Sequence, residues 1–225
     1  MRAIDSVEII ILVDNVVDFG STVSRPEVKR GWWMTPDRQG SAHWPWAEHG
    51  FAALIRLRAG EQRRTLLFDA GGSGTVLLHN ADCIGLNWDE IDAIALSHGH
   101  DDHAGGLLAA LGRMSGRRVP LIVHPDMFAH RGSREKDGRI HAAPKPIPAP
   151  QLEAAGADLI FNRSPYALFD DALLVLGEIP RRTDFEAGVP TQVRRLGDEW
   201  IPDPWVLDDR SIICLLYTSP SPRDS

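Results

Sequence analysis

One short segment, SHGHDDHAGG at residues 97–106, gathers three histidines and two aspartates within six positions. His98, His100, Asp102 and His103 follow the spacing H-x-H-x-D-H. Imidazole combined with carboxylate suits zinc, iron or manganese, and the absence of a thiolate disfavours a structural zinc site. The pattern should arise by chance in roughly one such chain per thousand. The segment therefore predicts a metal centre that does chemistry, in preference to a solvated polar loop.

The position of this segment in the chain supports the same interpretation. An apolar run at residues 93–96 predicts a buried strand immediately before it, and a strand-to-helix loop is where α/β proteins place their chemistry. His98 and His100 are two positions apart, so in extended backbone their side chains point the same way. Gly105 and Gly106 follow the motif and permit close backbone approach at the start of the next helix.

The elements that must hold the segment follow from hydrophobic patterning. Strands are predicted at residues 7–13, 51–57, 65–68, 93–96, 119–123, 159–161 and 172–176. Helices are predicted at residues 74–83, 103–114 and 150–155. Several strands are continuous apolar runs, which favours burial on both faces. The alternation of strands and helices predicts a layered α/β domain.

Two stretches are predicted as loops. Residues 20–48 contain several prolines and glycines together with Trp32, Trp33, Trp44 and Trp46. Such a loop is typical of a lid over a pocket, or equally of a small cluster packed on the core. Residues 131–150 are basic and then rich in proline, and we expect an irregular crossing of the surface there.

Composition limits the class of protein. The chain has 225 residues and a formal charge of −7, and this acidic balance argues against binding to nucleic acid, which requires a basic surface. Its two cysteines provide no disulfide framework. The apolar run near the N-terminus contains acidic residues, unlike a signal peptide, and no run approaches the roughly 20 residues that span a bilayer. We therefore expect a cytoplasmic protein that binds neither membrane nor nucleic acid.

The motifs together resemble a known family. H-x-H-x-D-H after a strand is the signature of the metallo-β-lactamase fold. The sequence around it resembles one branch of that family, the 7,8-dihydropterin-6-methyl-4-(β-D-ribofuranosyl)aminobenzene-5′-phosphate synthase-like branch. The matching segments are ILVDN (11–15), AEHGFAALI (47–55), LLFDAGGSGTVLLHNA (66–81), IDAIALSHGHDDHAGGL (91–107), GEIPR (177–181) and LDD (207–209). The resemblance implies an αββα four-layer sandwich.

The resemblance also implies roles for the motif residues. His98 and His100 would bind a first metal ion, and Asp102 and His103 a second, so that the cofactor would be two divalent ions, zinc first and manganese or iron as alternatives. Asp69 would orient these ligands, and with Asp102 it is the predicted catalytic carboxylate. Taken alone, Asp69 would be interpreted as a turn or helix-cap residue before two glycines.

Further residues of the matching motifs are predicted near the substrate. Asn15 and His49 lie on loops at strand ends, with His49 expected to reach the substrate. Arg181 is predicted to bind an anionic group, because a guanidinium matches phosphate and carboxylate geometry. For Glu178 and Arg181, a salt-bridged strand end is an equal alternative. His124 follows a strand and is either near the site or on a surface loop.

The last residues do not continue the family pattern. In the resembling family a strand, a Gly-Cys-Ser-His motif and a later histidine complete the metal sites, whereas this chain reads CLLYTSPSPRDS after Ile213. Residues 214–224 back-translate to a DNA string that resembles a transposon-end sequencing adapter; the alternative is a natural tail rich in serine and proline. We expect a metallo-β-lactamase-like domain at 1–213 with an incomplete second half, and a non-native tail without a strand at 214–225.

The predicted function follows from the metal ligands. We expect a binuclear metal-dependent hydrolase that acts on a small phosphorylated or ester-type anion through a metal-bound hydroxide, with the 225-residue chain inactive for lack of ligands. One alternative is a transferase of the pterin–ribofuranosylaminobenzene phosphate synthase type. The other is a metal-binding or redox protein without hydrolytic activity.

Overall fold

The structure is a computed structural model that describes residues 1–18, 20, 25–29, 44–114 and 116–216. Trp32 and Trp33 of the predicted lid, and the tail after Leu216, lie outside the described residues. Trp44 and Trp46 are about half exposed, and the Trp46 ring stacks on His79 with centroids 3.7 Å apart. This part of the loop therefore packs on the surface of a helix, and the lid interpretation stays a prediction.

The described residues form fourteen strands and four α-helices. The strands are β1 (Ala3–Ile4), β2 (Ser6–Val13), β3 (Ala52–Ala59), β4 (Gln62–Phe68), β5 (Ala93–Ala95), β6 (Val119–Val123), β7 (Arg131–Arg134), β8 (Ile140–Ala142), β9 (Ala157–Phe161), β10 (Tyr166–Leu168), β11 (Leu173–Val175), β12 (Gln192–Leu196), β13 (Glu199–Pro202) and β14 (Ile212–Leu216). The helices are α1 (Gly74–Cys83), α2 (Asp101–Ala104), α3 (Leu107–Arg113) and α4 (Ala149–Ala154). In the described ranges, no helix is long and apolar enough to cross a membrane.

A six-stranded mixed sheet in the order β2-β3-β4-β5-β6-β9 forms the centre of the molecule. The strands β2, β3 and β4 are antiparallel, whereas β4, β5, β6 and β9 run parallel. All three residues of β5 are buried, as expected for a strand that is covered on both faces. The predicted strands at residues 7–13, 51–57, 65–68, 93–96, 119–123 and 159–161 are all found in this sheet.

Two hydrophobic clusters cover the two faces of this sheet. On one face, Leu54, Leu67 and Ile94 pack with helix residues such as Leu77 and Leu107. On the other face, residues of β3 to β6 pack against a second sheet in the order β1-β14-β11-β10. Side chains alternate between the faces of a strand, which is why neighbouring residues enter different clusters. The described residues thus form a helix layer and two sheet layers of the expected α/β sandwich.

The second sheet corrects one expectation about the end of the chain. We expected no strand after Ile213, but Cys214, Leu215 and Leu216 complete β14, which pairs with β11 and β1. Its apolar residues alternate: Ile212 and Cys214 pack against the cluster between the sheets, and Ile213 and Leu215 on its other face are exposed. This alternation of apolar residues with a period of two predicts a strand, and the adapter interpretation did not take it into account.

A third sheet, in the order β13-β12-β7-β8, corrects the prediction of an irregular crossing at residues 131–150. The β7 and β8 strands form an antiparallel hairpin, and β12 joins it from about 60 positions further along the chain. Polar side chains fill much of this sheet, so hydrophobic patterning gave no signal for it. We call it the small sheet.

The helix predicted at residues 103–114 is interrupted at Gly105 and Gly106, which separate α2 from α3. A Cβ at Gly106 would overlap the carbonyl oxygen of Ala70, and one at Gly105 would overlap that of Gly72. The loop after β4 therefore packs directly on the backbone between the two helices. This contact fixes the end of the metal-binding segment, as the close-approach prediction for the two glycines requires.

We expect Gly106→Ala to destabilise the fold by about 1–3 kcal/mol, because the added methyl group forces the Ala70 loop away from the helices. Gly112→Ala is the matched control in α3, since no atom lies within 4 Å of a Cβ there. That substitution should stabilise the protein by about 0.5–1 kcal/mol. Urea denaturation of both variants gives the two free energies of unfolding. Equal changes in both variants would contradict the tight backbone contact.

Candidate metal centre

The candidate site lies where the parallel strands of the central sheet end. Asp69 directly follows β4, and Ser97 and His98 follow β5 after one residue. Because the carboxyl ends of parallel strands meet at one edge of a sheet, the loops after β4 and β5 come together there. The sequence places the metal motif in this loop, and α2 then carries Asp102 and His103.

His98, His100 and Asp102 form the group best suited to hold an ion. Each offers one ligand atom, and these atoms all lie within 4.8 Å of one another. The Nε2 of His98 is 2.9 Å from the Nδ1 of His100. Two imidazoles and a carboxylate, all only partly buried, form a donor set that fits zinc, iron or manganese.

His103 adjoins this group. Its Nε2 lies 3.5 Å from Oδ2 of Asp102, and its ring centroid is 4.2 Å from that of His98. The structure thus brings all four motif residues together. Asp102 lies within reach of His103 as well as of His98 and His100, so the group crosses the expected division into a His98–His100 site and an Asp102–His103 site.

The buried carboxylate of Asp69 contacts both Ser97 and His103. Asp69 is 1% exposed and adopts a left-handed backbone conformation with φ of 60°. Its Oδ1 accepts a 2.6 Å hydrogen bond from the Ser97 backbone N–H, and its Oδ2 accepts from the Ser97 hydroxyl at 2.7 Å. The same Oδ2 lies 2.8 Å from Nδ1 of His103. A hydrogen bond there leaves Nε2 of His103 directed away from Asp69, an arrangement that suits the predicted orienting role of this carboxylate.

Ser97 was not predicted as a site residue. Its hydroxyl lies 3.0 Å from Nδ1 of His98 and 3.3 Å from Nδ1 of His103, so it contacts two candidate ligands as well as Asp69. The only signal in the sequence is its position directly before the histidine motif.

The lowered pKa values of His98 and His100 favour metal binding. Burial, reinforced by the charges of His103 and His100, lowers the pKa of His98 to about 2. Burial also lowers the pKa of His100, with a further contribution from Arg131. For His103 burial opposes the charged form, but the hydrogen bond and charge of Asp69 outweigh it and raise the pKa. At neutral pH the imidazoles of His98 and His100 are therefore uncharged, so that neither must first give up an imidazolium proton to bind an ion.

A buried carboxylate fixes the turn between the two histidines of H-x-H. Asp208 is 0% exposed, and its Oδ2 accepts a 2.7 Å hydrogen bond from the backbone N–H of Gly99. Its Oδ1 accepts from Nη2 of Arg131 at 2.6 Å, and Nε of Arg131 donates to Asp203 at 3.3 Å. The small sheet is thus tied to the metal-binding loop through Arg131 and Asp208, neither of which was predicted to act at the site.

A second buried guanidinium ties together the strands beneath the loop. Arg210 donates to the carbonyl oxygens of Leu96 and Ile122 at 2.9 and 2.8 Å and to the side chain of Asn162. Burial lowers its pKa to about 10, which leaves it charged at neutral pH. The ends of β5, β6 and β9 are therefore fixed relative to one another.

His49 and Asn15, both predicted near the substrate, lie beside the ligand group. Nε2 of His49 is 3.4 Å from Oδ2 of Asp102. The side-chain oxygen of Asn15 is 3.1 Å from Nδ1 of His49 and also accepts from the backbone N–H of Gly50. Asn15 thus holds the His49 loop, and the His49 side chain is largely exposed.

Arg181 lines a cavity of about 450 Å³ together with His98, His100, Trp205 and Asp209. Its guanidinium is paired with Glu186 and Asp209, both at 3.0 Å. It therefore lines the cavity in a salt-bridged state, and its binding of an anionic group stays a prediction.

His124 and Glu178 are paired with each other at 3.0 Å. Glu178 also binds Arg163 at 2.8 Å, and its pKa is lowered by the hydrogen bonds from Arg163 and His124. Neither residue is among those lining the cavities that contain His100. The salt-bridge alternative therefore describes Glu178.

A second cavity, of about 400 Å³, opens on the other side of His100. It is lined by Asp102 and His49 from the metal side and by residues of the small sheet, Ser133 and His141 among them. The ligand group thus lies between two cavities that share His100. A substrate whose reacting bond lies at these candidate ligands would extend into both cavities.

The chain matches known proteins over this region. Residues 46–161, just over half of the chain, match the family model described as the metallo-beta-lactamase superfamily. A 7,8-dihydropterin-6-methyl-4-(beta-D-ribofuranosyl)-aminobenzene-5′-phosphate synthase of Methanocaldococcus jannaschii is 28% identical over 134 residues, which are 60% of this chain and 45% of that protein. Uncharacterized protein MJ0448 of the same organism is 30% identical over 142 residues, 62% of this chain and 50% of that protein.

The solved structure of Tm1679, a metal-dependent hydrolase of the beta-lactamase superfamily, has the same fold. It superposes with a TM-score of 0.56 at 20% identity, over 92% of this chain and 60% of that one. The chain spans about half the length of the curated relatives it matches.

Proposed function

Because this chain belongs to the metallo-β-lactamase superfamily, we propose that it is part of a metal-dependent enzyme that acts on a small anionic ester. The observation that carries the proposal is the position of His98, His100 and Asp102 at the junction of two cavities. Because the candidate ligands line two neighbouring cavities, a substrate could approach a bound ion from either cavity. A structural ion is instead enclosed by its ligands.

We propose two divalent ions, with zinc as the first choice and manganese or iron as alternatives. Asp102 is within 3.5 Å of His103 and also belongs to the group of His98 and His100, which is a suitable position for a ligand shared by two ions. Catalytic ions take about three protein ligands each, so that a site for two ions needs ligands in addition to these four.

The ions would supply Lewis acidity that polarises a phosphoryl or acyl oxygen and lowers the pKa of bound water. The residues of this chain would do the rest. Asp69 holds Nδ1 of His103 and thereby fixes its ring. His49, 3.4 Å from Asp102 and exposed to the second cavity, is placed to exchange a proton with a substrate oxygen. Arg181 would accept an anionic group only by giving up part of its pairing with Glu186 and Asp209.

A transferase is the second candidate, and the relative named as a phosphate synthase favours it. Here the ions held by the same ligands would stabilise a departing pyrophosphate, and the acceptor would occupy the place of water. The cavity beside Arg181 contains Trp205, which could stack on an aromatic acceptor. The two candidates differ in the nucleophile and share the proposed metal site.

We expect the purified chain to bind Zn²⁺ and to release it to EDTA, and we expect hydrolysis of bis(p-nitrophenyl) phosphate with added Mn²⁺ or Zn²⁺ only in a longer protein that supplies the further ligands. Metal content after dialysis and release of p-nitrophenolate are the two measurements. Failure to retain any metal would contradict the proposed site. Metal binding by that longer protein without hydrolysis would exclude the hydrolase and favour the transferase, which is then tested with a pterin diphosphate and an aminobenzene acceptor.

A further inference from the structure

The hydroxyl group of Ser97 lies between a buried carboxylate and two candidate metal ligands. Its Oγ is 2.7 Å from Oδ2 of Asp69, 3.0 Å from Nδ1 of His98 and 3.3 Å from Nδ1 of His103. A hydroxyl group has one hydrogen to donate and two lone pairs that accept. It therefore cannot donate to all three neighbours, and the direction of each hydrogen bond follows from which atoms have a hydrogen to give.

The hydrogen of the Ser97 hydroxyl belongs to the bond with Asp69. A carboxylate only accepts hydrogen bonds, so the 2.7 Å contact between Oγ and Oδ2 requires the hydrogen of Ser97. The same Oδ2 is 2.8 Å from Nδ1 of His103, which must likewise supply its own hydrogen. After these two bonds, Ser97 has no hydrogen left for another acceptor.

The remaining contact of the hydroxyl determines which nitrogen of His98 carries a hydrogen. At Nδ1 of His98 the hydroxyl of Ser97 can only accept, so Nδ1 is the protonated nitrogen of this ring. An imidazole that binds an ion is neutral and has one N–H. Nε2 of His98 then has a free lone pair, and it is the atom that lies 2.9 Å from Nδ1 of His100, on the side of the other candidate ligands.

We propose that Ser97 is a positioning residue of the metal centre, whose hydroxyl group holds the hydrogen of His98 on Nδ1 and thereby leaves Nε2 free for an ion. The inference rests on the proposed function, because it concerns the ligands of the same metal centre. Asp69 acts on His103 directly and on His98 through Ser97. One buried carboxylate therefore sets the tautomers of two candidate ligands.

Removal of the hydroxyl group should reverse the tautomer of His98. In the described part of the chain, Ser97 is the only hydrogen-bond partner of Nδ1 of His98. In Ser97→Ala an Nδ1–H would have no acceptor, and a buried donor without a partner is unfavourable. The hydrogen is better placed on Nε2, where it can be donated to Nδ1 of His100. It then occupies the nitrogen that an ion needs.

The tautomers are read in metal-free, ¹⁵N-labelled protein from long-range ¹H–¹⁵N spectra of the imidazole rings. We expect His98 and His103 to be protonated on Nδ1 in the wild-type protein. Ser97→Ala should move the hydrogen of His98 to Nε2 and leave His103 unchanged, because His103 keeps its bond to Asp69. The affinity for Zn²⁺ should fall by about 10–100-fold. Ser97→Thr keeps a hydroxyl group and should restore both the tautomer and the affinity.

Asp69→Asn tests the same link with Ser97 in place. Oδ1 of Asp69 accepts from the backbone N–H of Ser97 at 2.6 Å, so the asparagine keeps its oxygen there and places its NH₂ group at the position of Oδ2. The NH₂ group donates to the Ser97 hydroxyl and to Nδ1 of His103, and the hydrogen of the hydroxyl is released to Nδ1 of His98. Both rings should therefore become protonated on Nε2, whereas Ser97→Ala changes His98 alone.

Ser73→Ala is the control for a loss of stability without a change at the site. The Ser73 hydroxyl caps α1 by accepting from the backbone N–H of Val76 at 3.2 Å. Its removal should lower the melting temperature and leave the tautomers of His98 and His103 and the zinc affinity unchanged. Thermal melting verifies that each variant is folded, and Asp69→Asn decides the question if Ser97→Ala does not fold.

Several results would overturn the proposal. These are a wild-type His98 protonated on Nε2, an unchanged tautomer or zinc affinity in folded Ser97→Ala, and a folded Ser97→Thr that behaves like Ser97→Ala. The proposed function fails in a different way, by absence of zinc binding in the wild-type protein. Because the tautomers are measured without metal, the expected pattern in the variants can be observed even then, so that the two failures are distinguishable.

Discussion

His100→Ala should lower the affinity of the protein for Zn²⁺ by about 100-fold or more. Structural zinc binding to four ligands is worth about 10–16 kcal/mol, which is roughly 3 kcal/mol per ligand and corresponds to a factor of about 100. His100 belongs to the group within 4.8 Å and is also the residue shared by the two cavities. Its loss therefore removes a ligand at the point where substrate and ion would meet.

The measurement is a titration of metal-free protein with Co²⁺, followed by visible absorption, and then displacement by Zn²⁺. His130→Ala is the control, because His130 hydrogen-bonds the Ala143 carbonyl and belongs to no candidate ligand group. Asp69→Asn should give an intermediate loss of about 10–100-fold, since it acts through the orientation of His103. If His100→Ala and His130→Ala bind zinc equally well, His98, His100 and Asp102 do not form the metal site.

The sequence predicted the parts of the molecule whose signals are local. The strands of the central sheet are short apolar runs, and the α1 boundaries at Gly74 and Cys83 follow from periodicity and the serine cap before it. The metal motif is equally local, because four ligands lie within six positions on one loop and the start of a helix. For this reason His98, His100, Asp102 and His103 could be predicted to lie at one metal centre without knowledge of the fold, whereas their division between two ions came from the family resemblance.

The small sheet could not be predicted, because its partners are distant in the chain and its strands are polar. In the strand register, Arg131 of β7 lies opposite Arg194 of β12. Nothing in the sequence of either strand predicts that the two are neighbours. Burial of Arg131 depends on Asp203 and Asp208, which lie more than 70 positions away. A basic, proline-containing segment is typical of a surface loop, and only the tertiary pairing overrides that pattern.

The same reasoning applies to the residues that hold the metal-binding loop. Ser97 and Gly99 are unremarkable in sequence, and their roles arise from Asp69, which is 28 positions from Ser97, and from Asp208, which is 109 positions from Gly99. The resemblance to the family identified Asp69 and the LDD segment as motifs but gave Asp208 no role. Geometry supplies it, because a fully buried carboxylate between a guanidinium and a backbone N–H cannot rotate without losing one partner.

Asp208→Asn should weaken Zn²⁺ binding by about 10–100-fold, whereas Asp203→Asn should leave it unchanged. Both substitutions remove one carboxylate charge from the buried Arg131, and each should therefore lower the free energy of unfolding by about 1–3 kcal/mol. They differ in one respect. The carboxylate of Asp208 accepts hydrogen bonds from Arg131 and from the backbone N–H of Gly99, which lies between His98 and His100. The carboxylate of Asp203 accepts one from Arg131. An asparagine at 208 has one oxygen for two donors, so that either Gly99 or Arg131 must face its NH₂ group.

The pair of variants separates positioning from stability. Urea denaturation gives the two free energies of unfolding, and the Co²⁺ titration gives the two metal affinities under conditions in which both proteins are folded. If stability alone linked Asp208 to the site, the two variants would lose metal affinity in proportion to their destabilisation. A selective loss in Asp208→Asn, accompanied by a changed Co²⁺ absorption spectrum, would place the effect at the turn that Gly99 forms between His98 and His100. Equal metal affinity in the two variants would contradict this role, and the hydrogen bond from Gly99 to Asp208 would then stabilise the loop without orienting its ligands.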